Sequence, residues 1–255
     1  MTPYRRHTMP FGAQMTRDGG FRFRLWAPGA RRVDLCLDEG ASETLLPMHP
    51  AGEGWMEVFT DRALPGSLYR YRIDGGMRVP DPASRFQPQG VHGPSQVVDP
   101  GAFAWEDTDW RGRPWEEAVV YELHPGAFSP DGGFRGIEAR LDHLAELGVT
   151  AVELMPLAAF PGDRNWGYDG VLPYAPHAGY GAPEDLKRLV QAAHGRGLMM
   201  LLDVVYNHFG PEGNYLHVYA PRFFTDRHQT PWGEAVNFDG AGSAQVREFF
   251  VHNAL

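Results

Sequence analysis

Apolar and polar residues alternate along the first hundred positions in a way that predicts short strands. Phe21, Phe23 and Leu25 alternate with Arg22, Arg24 and Trp26, giving a strand with two unlike faces. After the turn Ala27-Pro28-Gly29-Ala30, Val33, Leu35 and Leu37 alternate with Asp34, Cys36 and Asp38. Further strands are predicted over Trp55–Thr60 and Leu68–Ile73, each bounded by Gly, Pro or Asp. Short strands between turns, with no helical period, indicate an antiparallel, immunoglobulin-like β-sandwich. Residues 75–100 break this spacing and form a Pro- and Gly-rich connector. Its Phe86, His92 and prolines predict a segment packed against something. Trp105, Trp110 and Trp115 follow, and a domain interface is expected for them ahead of stacking on sugar rings.

From residue 118 the period changes. Residues 118–124 read as a strand. Phe134, Ile137, Leu141, Leu144 and Leu147 then recur at three- and four-residue spacing, predicting one face of a helix that Gly148 ends. A second strand is expected over 149–155. Pro183, with Glu184 and Asp185 behind it, starts a helix whose stripe is Leu186, Leu189, Val190 and Ala193. Leu198 to Leu202 run without alternation, as in a strand covered on both faces of a parallel sheet. A third helix starts near Ser243, with Val246, Phe249 and Phe250 apolar. The order βαβαβα predicts right-handed parallel crossovers.

Two long loops interrupt that order, 156–182 and 206–242, and each follows the C-terminal end of a strand. Loops of this length are usually functional, and polar residues at that end of a parallel barrel tend to be functional too. The first loop carries Asn165, Trp166, Tyr168 and Asp169; the second carries Asn207, His208, Asn214 and Tyr215. Asp203 interrupts the third strand. Taken singly, each residue has an ordinary reading: Asp203 caps a turn, Trp166 and Tyr168 lie buried under their loop, and Asp169 makes an Asx turn with Gly170. Together on one rim, aromatic planes beside carboxylates, amides and a histidine suit a polyhydroxylated ligand.

Composition narrows the classes. The 255 residues hold 43% apolar and 22% charged residues, enough for a globular core. The net charge of −9, without a basic run, argues against nucleic acid or an anionic membrane as partner. The single Cys36 excludes an internal disulfide and fits a reducing compartment. The first fifteen residues contain no apolar segment of the signal-peptide kind, and no stretch approaches membrane-spanning length. A soluble cytoplasmic protein is the expectation.

The chain resembles a known family at Asp203-Val204-Val205-Tyr206-Asn207-His208, the third-strand motif of the α-amylase superfamily, glycoside hydrolase family 13. The sandwich is similar to the family-48 carbohydrate-binding module. Residues 81–95, 153–181, 203–216 and 223–240 resemble, more narrowly, the malto-oligosyltrehalose trehalohydrolases. Pro125, in Tyr-Glu-Leu-His-Pro-Gly, departs from the small branched residue expected there.

The resemblance implies three regions: a carbohydrate-binding-module-like sandwich over 1–104, a linker over 105–117, and the first three βα units of a (β/α)8 barrel over 118–255. It implies a retaining hydrolase acting on the α-1,4 bond next to the trehalose end of maltooligosyltrehalose. By motif, Trp166, Tyr168, Asp169, Asp203 and His208 are the substrate-binding candidates. Tyr168 would stack on the sugar, Asp169 and His208 would hydrogen-bond it, and Asp203 would hold an arginine of the next strand. Asn207 matches a calcium ligand of true α-amylases, but no cluster of oxygen ligands accompanies it, so neither metal nor cofactor is assigned. Retention requires two carboxyl groups about 5 Å apart, which the family places on strands four, five and seven. No catalytic residue is therefore expected among these 255, and the chain alone is expected to be inactive. Open barrel edges would favour self-association. The rivals are part of a 1,4-α-glucan branching enzyme and a non-catalytic glucan-binding module.

Overall fold

The computed structural model describes residues 7–255 other than 39, 41 and 232. The extreme N-terminal residues of the leader reading, 1–6, lie outside the described residues. Nine strands form first: β1 (Gly12–Met15), β2 (Phe21–Trp26), β3 (Val33–Asp38), β4 (Glu43–Pro47), β5 (His49–Pro50), β6 (Trp55–Thr60), β7 (Leu68–Ile73), β8 (Arg78–Val79) and β9 (Ser95–Gln96). They make two antiparallel sheets, ordered β1-β2-β6-β5 and β4-β3-β7-β8, with β9 on β7. Phe21, Phe23 and Leu25 of β2 face Val33, Leu35 and Leu37 of β3 across a common core. The alternation in β3 is less simple than expected, because Asp34 and Cys36 are buried as well. Asp34 tolerates burial because two guanidinium groups reach it, from Arg72 (Nη2 at 2.8 Å) and Arg32 (Nη2 at 2.9 Å).

The connector packs down, as its aromatic and proline content suggests. Asp81 is fully buried and accepts hydrogen bonds from the Tyr69 hydroxyl (2.7 Å), the Tyr71 hydroxyl (3.2 Å) and the Ala83 amide (2.8 Å). Of the three tryptophans that follow, Trp110 stacks on His194 at 4.6 Å between ring centroids, whereas Trp115 is 66% exposed. The linker also lies along one helix through Lys187 to the Pro100 carbonyl and the Glu106 amide to Gln191.

Parallel structure begins with β10 (Val120–Leu123), followed by α1 (Gly133–Glu138), α2 (Leu141–Glu146), β11 (Ala151–Leu154), β12 (Ala158–Ala159), β13 (Leu172–Pro176), α3 (Pro183–His194) and β14 (Met199–Leu202). Strands β10, β11 and β14 are parallel and in register: Val120 lies beside Ala151 and Ala151 beside Met199. Phe134, Ile137, Leu141 and Leu144 are all buried against Val152 and Leu154, so most of the predicted apolar face exists, but Leu147, expected on it, is 63% exposed at the end of α2. That face is carried by two short helices, though. Between them the Arg140 amide bonds the Ile137 carbonyl in a tight i→i+3 turn, which breaks the single helix that the spacing predicts. Pro183 occupies the first turn of α3, and Asp185 accepts the Ala182 amide at 3.0 Å. Strand β14 corrects another expectation: it is half-buried, with Leu202 52% exposed, because it forms the edge of the three-stranded sheet.

The second long loop folds into α4 (Leu216–Tyr219) and a hairpin of β15 (Phe224–Thr230) with β16 (Gly233–Val236), before α5 (Ser243–Ala254). Phe249 of α5 meets Phe11 edge-on at 5.3 Å, and Phe223 meets Trp26 at 5.6 Å. The C-terminal segment thus shares the core of the sandwich. No helix among the described residues is long and apolar enough to cross a membrane.

Candidate functional site

The two long loops meet above the C-terminal ends of β10, β11 and β14. The first is turned by Asn165, whose Oδ1 accepts the amides of Gly167 and Tyr168, the latter at 3.1 Å. The Asx turn therefore belongs to Asn165. Gly167 has φ +108, a conformation that suits glycine, and the turn lifts both flanking aromatics outward. Trp166 is 84% exposed and Tyr168 48%, so neither is buried under its own loop.

The second loop is tied to the first at two points. His208 Nε2 stands 3.0 Å from the Tyr168 carbonyl oxygen, and because a carbonyl only accepts, Nε2 carries the proton. Its Nδ1 lies 3.1 Å from Asn207 Oδ1. Two residues on, the Gly210 amide donates to the Gly170 carbonyl at 3.0 Å. A Cβ at Gly210 would lie 2.1 Å from the Asp169 carbonyl oxygen, so the two backbones approach as only glycine allows. Glycine at this position is a contact requirement that no motif announced.

The same loop is held from the sandwich side. His92 of the connector accepts the Tyr215 hydroxyl at Nδ1 (2.6 Å) and donates from Nε2 to Glu212 (3.0 Å). Val91 packs beside Val171 and against Gly213. Asn214 serves a structural end, its Oδ1 receiving the Leu216 amide at 3.0 Å.

Of the predicted residues, Trp166 and Asp169 line one cleft of about 770 Å³, with His124, Gly126, Asp163, Asn165 and Tyr180. Tyr168 and His208 are not among its lining residues; Tyr168 belongs to the same turn as Trp166, and His208 is tied to the Tyr168 carbonyl. Burial pushes the Tyr180 hydroxyl up to about 12, so it stays protonated and able to donate. Asp203 is not part of this cleft. Its amide bonds the Leu154 carbonyl at 3.0 Å, and its side chain lines a neighbouring cavity of about 400 Å³ with Pro156, Tyr174 and Tyr206. Asp169 and Asp203 thus line different cavities. Among the described residues no group of three or more His, Cys, Asp or Glu side chains is placed to hold a metal ion.

A cleft walled by an exposed indole and a phenol, with a carboxylate and an imidazole donor at its edge, can grip a sugar by its face and its hydroxyls. A family described as the alpha amylase catalytic domain matches residues 97–230, and carbohydrate-binding module 48 (isoamylase N-terminal domain) matches residues 10–89. A malto-oligosyltrehalose trehalohydrolase of Saccharolobus solfataricus is 46% identical over 96% of this chain and 43% of its own. A 1,4-alpha-glucan branching enzyme of Geobacillus stearothermophilus is 32% identical over 96% of this chain and 42% of its own. A crystal structure of an alpha-amylase-type protein from Salmonella typhimurium superposes with a TM-score of 0.92 at 48% identity, covering 97% of this chain and 41% of that one. The chain spans about two fifths of the length of the curated relatives it matches.

Proposed function

The chain belongs to the alpha-amylase family of glycoside hydrolases, with a module of the carbohydrate-binding 48 type ahead of the catalytic fold, and we propose that its cleft is the substrate-gripping half of a trehalohydrolase. The substrate is maltooligosyltrehalose, cut at the α-1,4 bond next to its trehalose end. Trp166 and Tyr168 stack on the sugar at the cleft. Asp169 and His208 hydrogen-bond its hydroxyls, and Asp203, from the adjoining cavity, positions a cationic partner behind them.

The observation that carries this reading is the meeting of the two loops: His208 reaches the Tyr168 carbonyl while the Trp166 and Tyr168 rings stay open to solvent. The trehalohydrolase relative at 46% identity supports the hydrolase over the branching enzyme at 32%. Asp169 and Asp203 serve binding and support in this proposal, and the carboxyl pair of the retaining mechanism is supplied by later strands of the barrel. The lone buried thiol of Cys36 suits a reducing cytoplasm.

Titration of the 255-residue chain with maltopentaose tests the binding role, and incubation with maltooligosyltrehalose tests the chemistry. Saturable binding without trehalose release is expected. Absence of binding at millimolar maltopentaose would remove the gripping role, and trehalose release would place the catalytic carboxyls inside these 255 residues. In an enzyme that carries the whole barrel, free trehalose as product selects the hydrolase over the transferase.

A further inference from the structure

We propose that His124, at the C-terminal end of β10, is a positioning residue that sets the Trp166–Tyr168–Asp169 turn by holding Asn165; the functional meaning of this rests on the sugar-gripping reading above. The imidazole is fixed by both its nitrogens. Gly126 donates its amide to Nδ1 at 3.1 Å, so Nδ1 is unprotonated. Nε2 lies 2.7 Å from the Asn165 carbonyl oxygen, which only accepts, so Nε2 carries the hydrogen. The ring is therefore one defined neutral tautomer, held between the first barrel strand and a loop residue 41 positions later.

Three features keep the ring in that pose. Pro125 follows it at the first inner position of the turn in which the Ala127 and Phe128 amides return to the His124 carbonyl at 3.0 Å. Its fixed φ suits that turn and presents the Gly126 amide to Nδ1, which gives the unexpected proline a role. The Tyr180 ring stands edge-on to the imidazole, 5.9 Å away at 86°. At Gly126 a Cβ would lie 3.2 Å from His124 Cε1 and 3.1 Å from Tyr180 Cε1, so the turn is packed closely on both rings.

What His124 holds is the hub of the turn. Asn165 offers its carbonyl to His124 and its Oδ1 to the amides of Gly167 and Tyr168. Its Nδ2 is buried without a protein partner, so the side chain is kept in place by the Oδ1 bonds and the backbone is kept in place by His124. Losing the imidazole donor releases one end of this relay, and the amides of Gly167 and Tyr168 then open more often.

Residue-resolved amide hydrogen exchange on the 255-residue chain separates this from a general structural role. His124→Ala is expected to speed exchange at Gly167 and Tyr168 about tenfold, the worth of one lost hydrogen bond, while sandwich amides are unchanged. His124→Gln keeps a donor near the Nε2 position and is expected to restore protection. His124→Asn keeps an acceptor near Nδ1 but no donor that reaches Asn165, and is expected not to. Maltopentaose affinity should follow the same order. Unchanged exchange in the alanine variant, or equal rescue by asparagine and glutamine, overturns the proposal. If the alanine variant does not fold, the glutamine–asparagine contrast decides alone. A wild-type chain that binds no maltopentaose would refute the sugar reading, while the exchange pattern still judges the positioning role.

Discussion

His208 Nε2 hydrogen-bonds the Tyr168 carbonyl at 3.0 Å, joining the loop after β14 to the loop after β11. The bond orients the backbone under the Tyr168 ring. His208→Ala should weaken maltopentaose binding by about 1–2 kcal/mol, the range for a hydrogen bond lost from a partly buried site. Isothermal titration measures this, and an affinity equal to wild type would detach His208 from the ligand.

Trp166 offers a cleaner separation of binding from folding. Its side chain is 84% exposed, so removing it takes little from the core. Trp166→Ala is expected to leave the urea midpoint within about 0.5 kcal/mol of wild type, as for surface changes generally. It should cost about 1 kcal/mol of maltopentaose affinity, the scale of one aromatic stacking contact. A variant that binds as well as wild type but unfolds earlier would make Trp166 a structural residue.

Strand-by-strand alternation carries most of the architecture, because burial on one face imposes a period that β2 and β7 display openly. It reports which residues share a face, not what covers that face. Asp34 reads as solvent-facing until Arg72, its cross-strand neighbour on β7, and Arg32 reach it. Leu202 reads as enclosed, yet it sits on a sheet edge. The apolar stripe predicted from Phe134 to Leu147 survives as far as Leu144, Leu147 being exposed, and the tight turn at Ile137–Arg140 that divides its helix has no apolar signature.

Near the cleft, Trp166, Tyr168, Asp169 and His208 were candidates because aromatic and polar residues cluster on two long loops, and of these Trp166 and Asp169 line it. His124 was not a candidate. It looks like an ordinary polar residue ending a strand, and its partner Asn165 is 41 residues away. Gly210 was equally silent, since its significance lies in a backbone approach between separate loops.

That approach makes Gly210 a sensitive position between the two loops. A methyl group there would fall 2.1 Å from the Asp169 carbonyl oxygen, against backbone rather than a yielding side chain. Gly210→Ala should cost about 2 kcal/mol or more, the usual scale of overpacking, and should separate the two loops enough to reduce maltopentaose binding. Urea unfolding and titration read the two effects. Wild-type stability together with wild-type affinity would show that the loops part without consequence.

The acid limb of stability should carry the mark of Asp34. Burial alone would raise its carboxyl, but hydrogen bonds and charge from Arg72 and Arg32 more than offset this and hold it below its ordinary value of 3.8. Between that lowered value and 3.8 the unfolded chain binds more protons than the folded one, so stability rises with pH. The Asp34 contribution is therefore complete above the unfolded value and is lost as pH falls through the folded one. Asp34→Asn removes the charge that the two guanidinium groups face, and should cost about 3 kcal/mol at neutral pH, at the lower end for breaking a buried pair because Arg32 is largely exposed. The gap between wild type and variant should narrow as pH is taken below the folded-state value, where the wild-type carboxyl is protonated too. Urea midpoints from pH 7 down to pH 2 measure it, and a gap that stays constant over that range would mean that the Asp34 charge contributes nothing to holding β3 against β7.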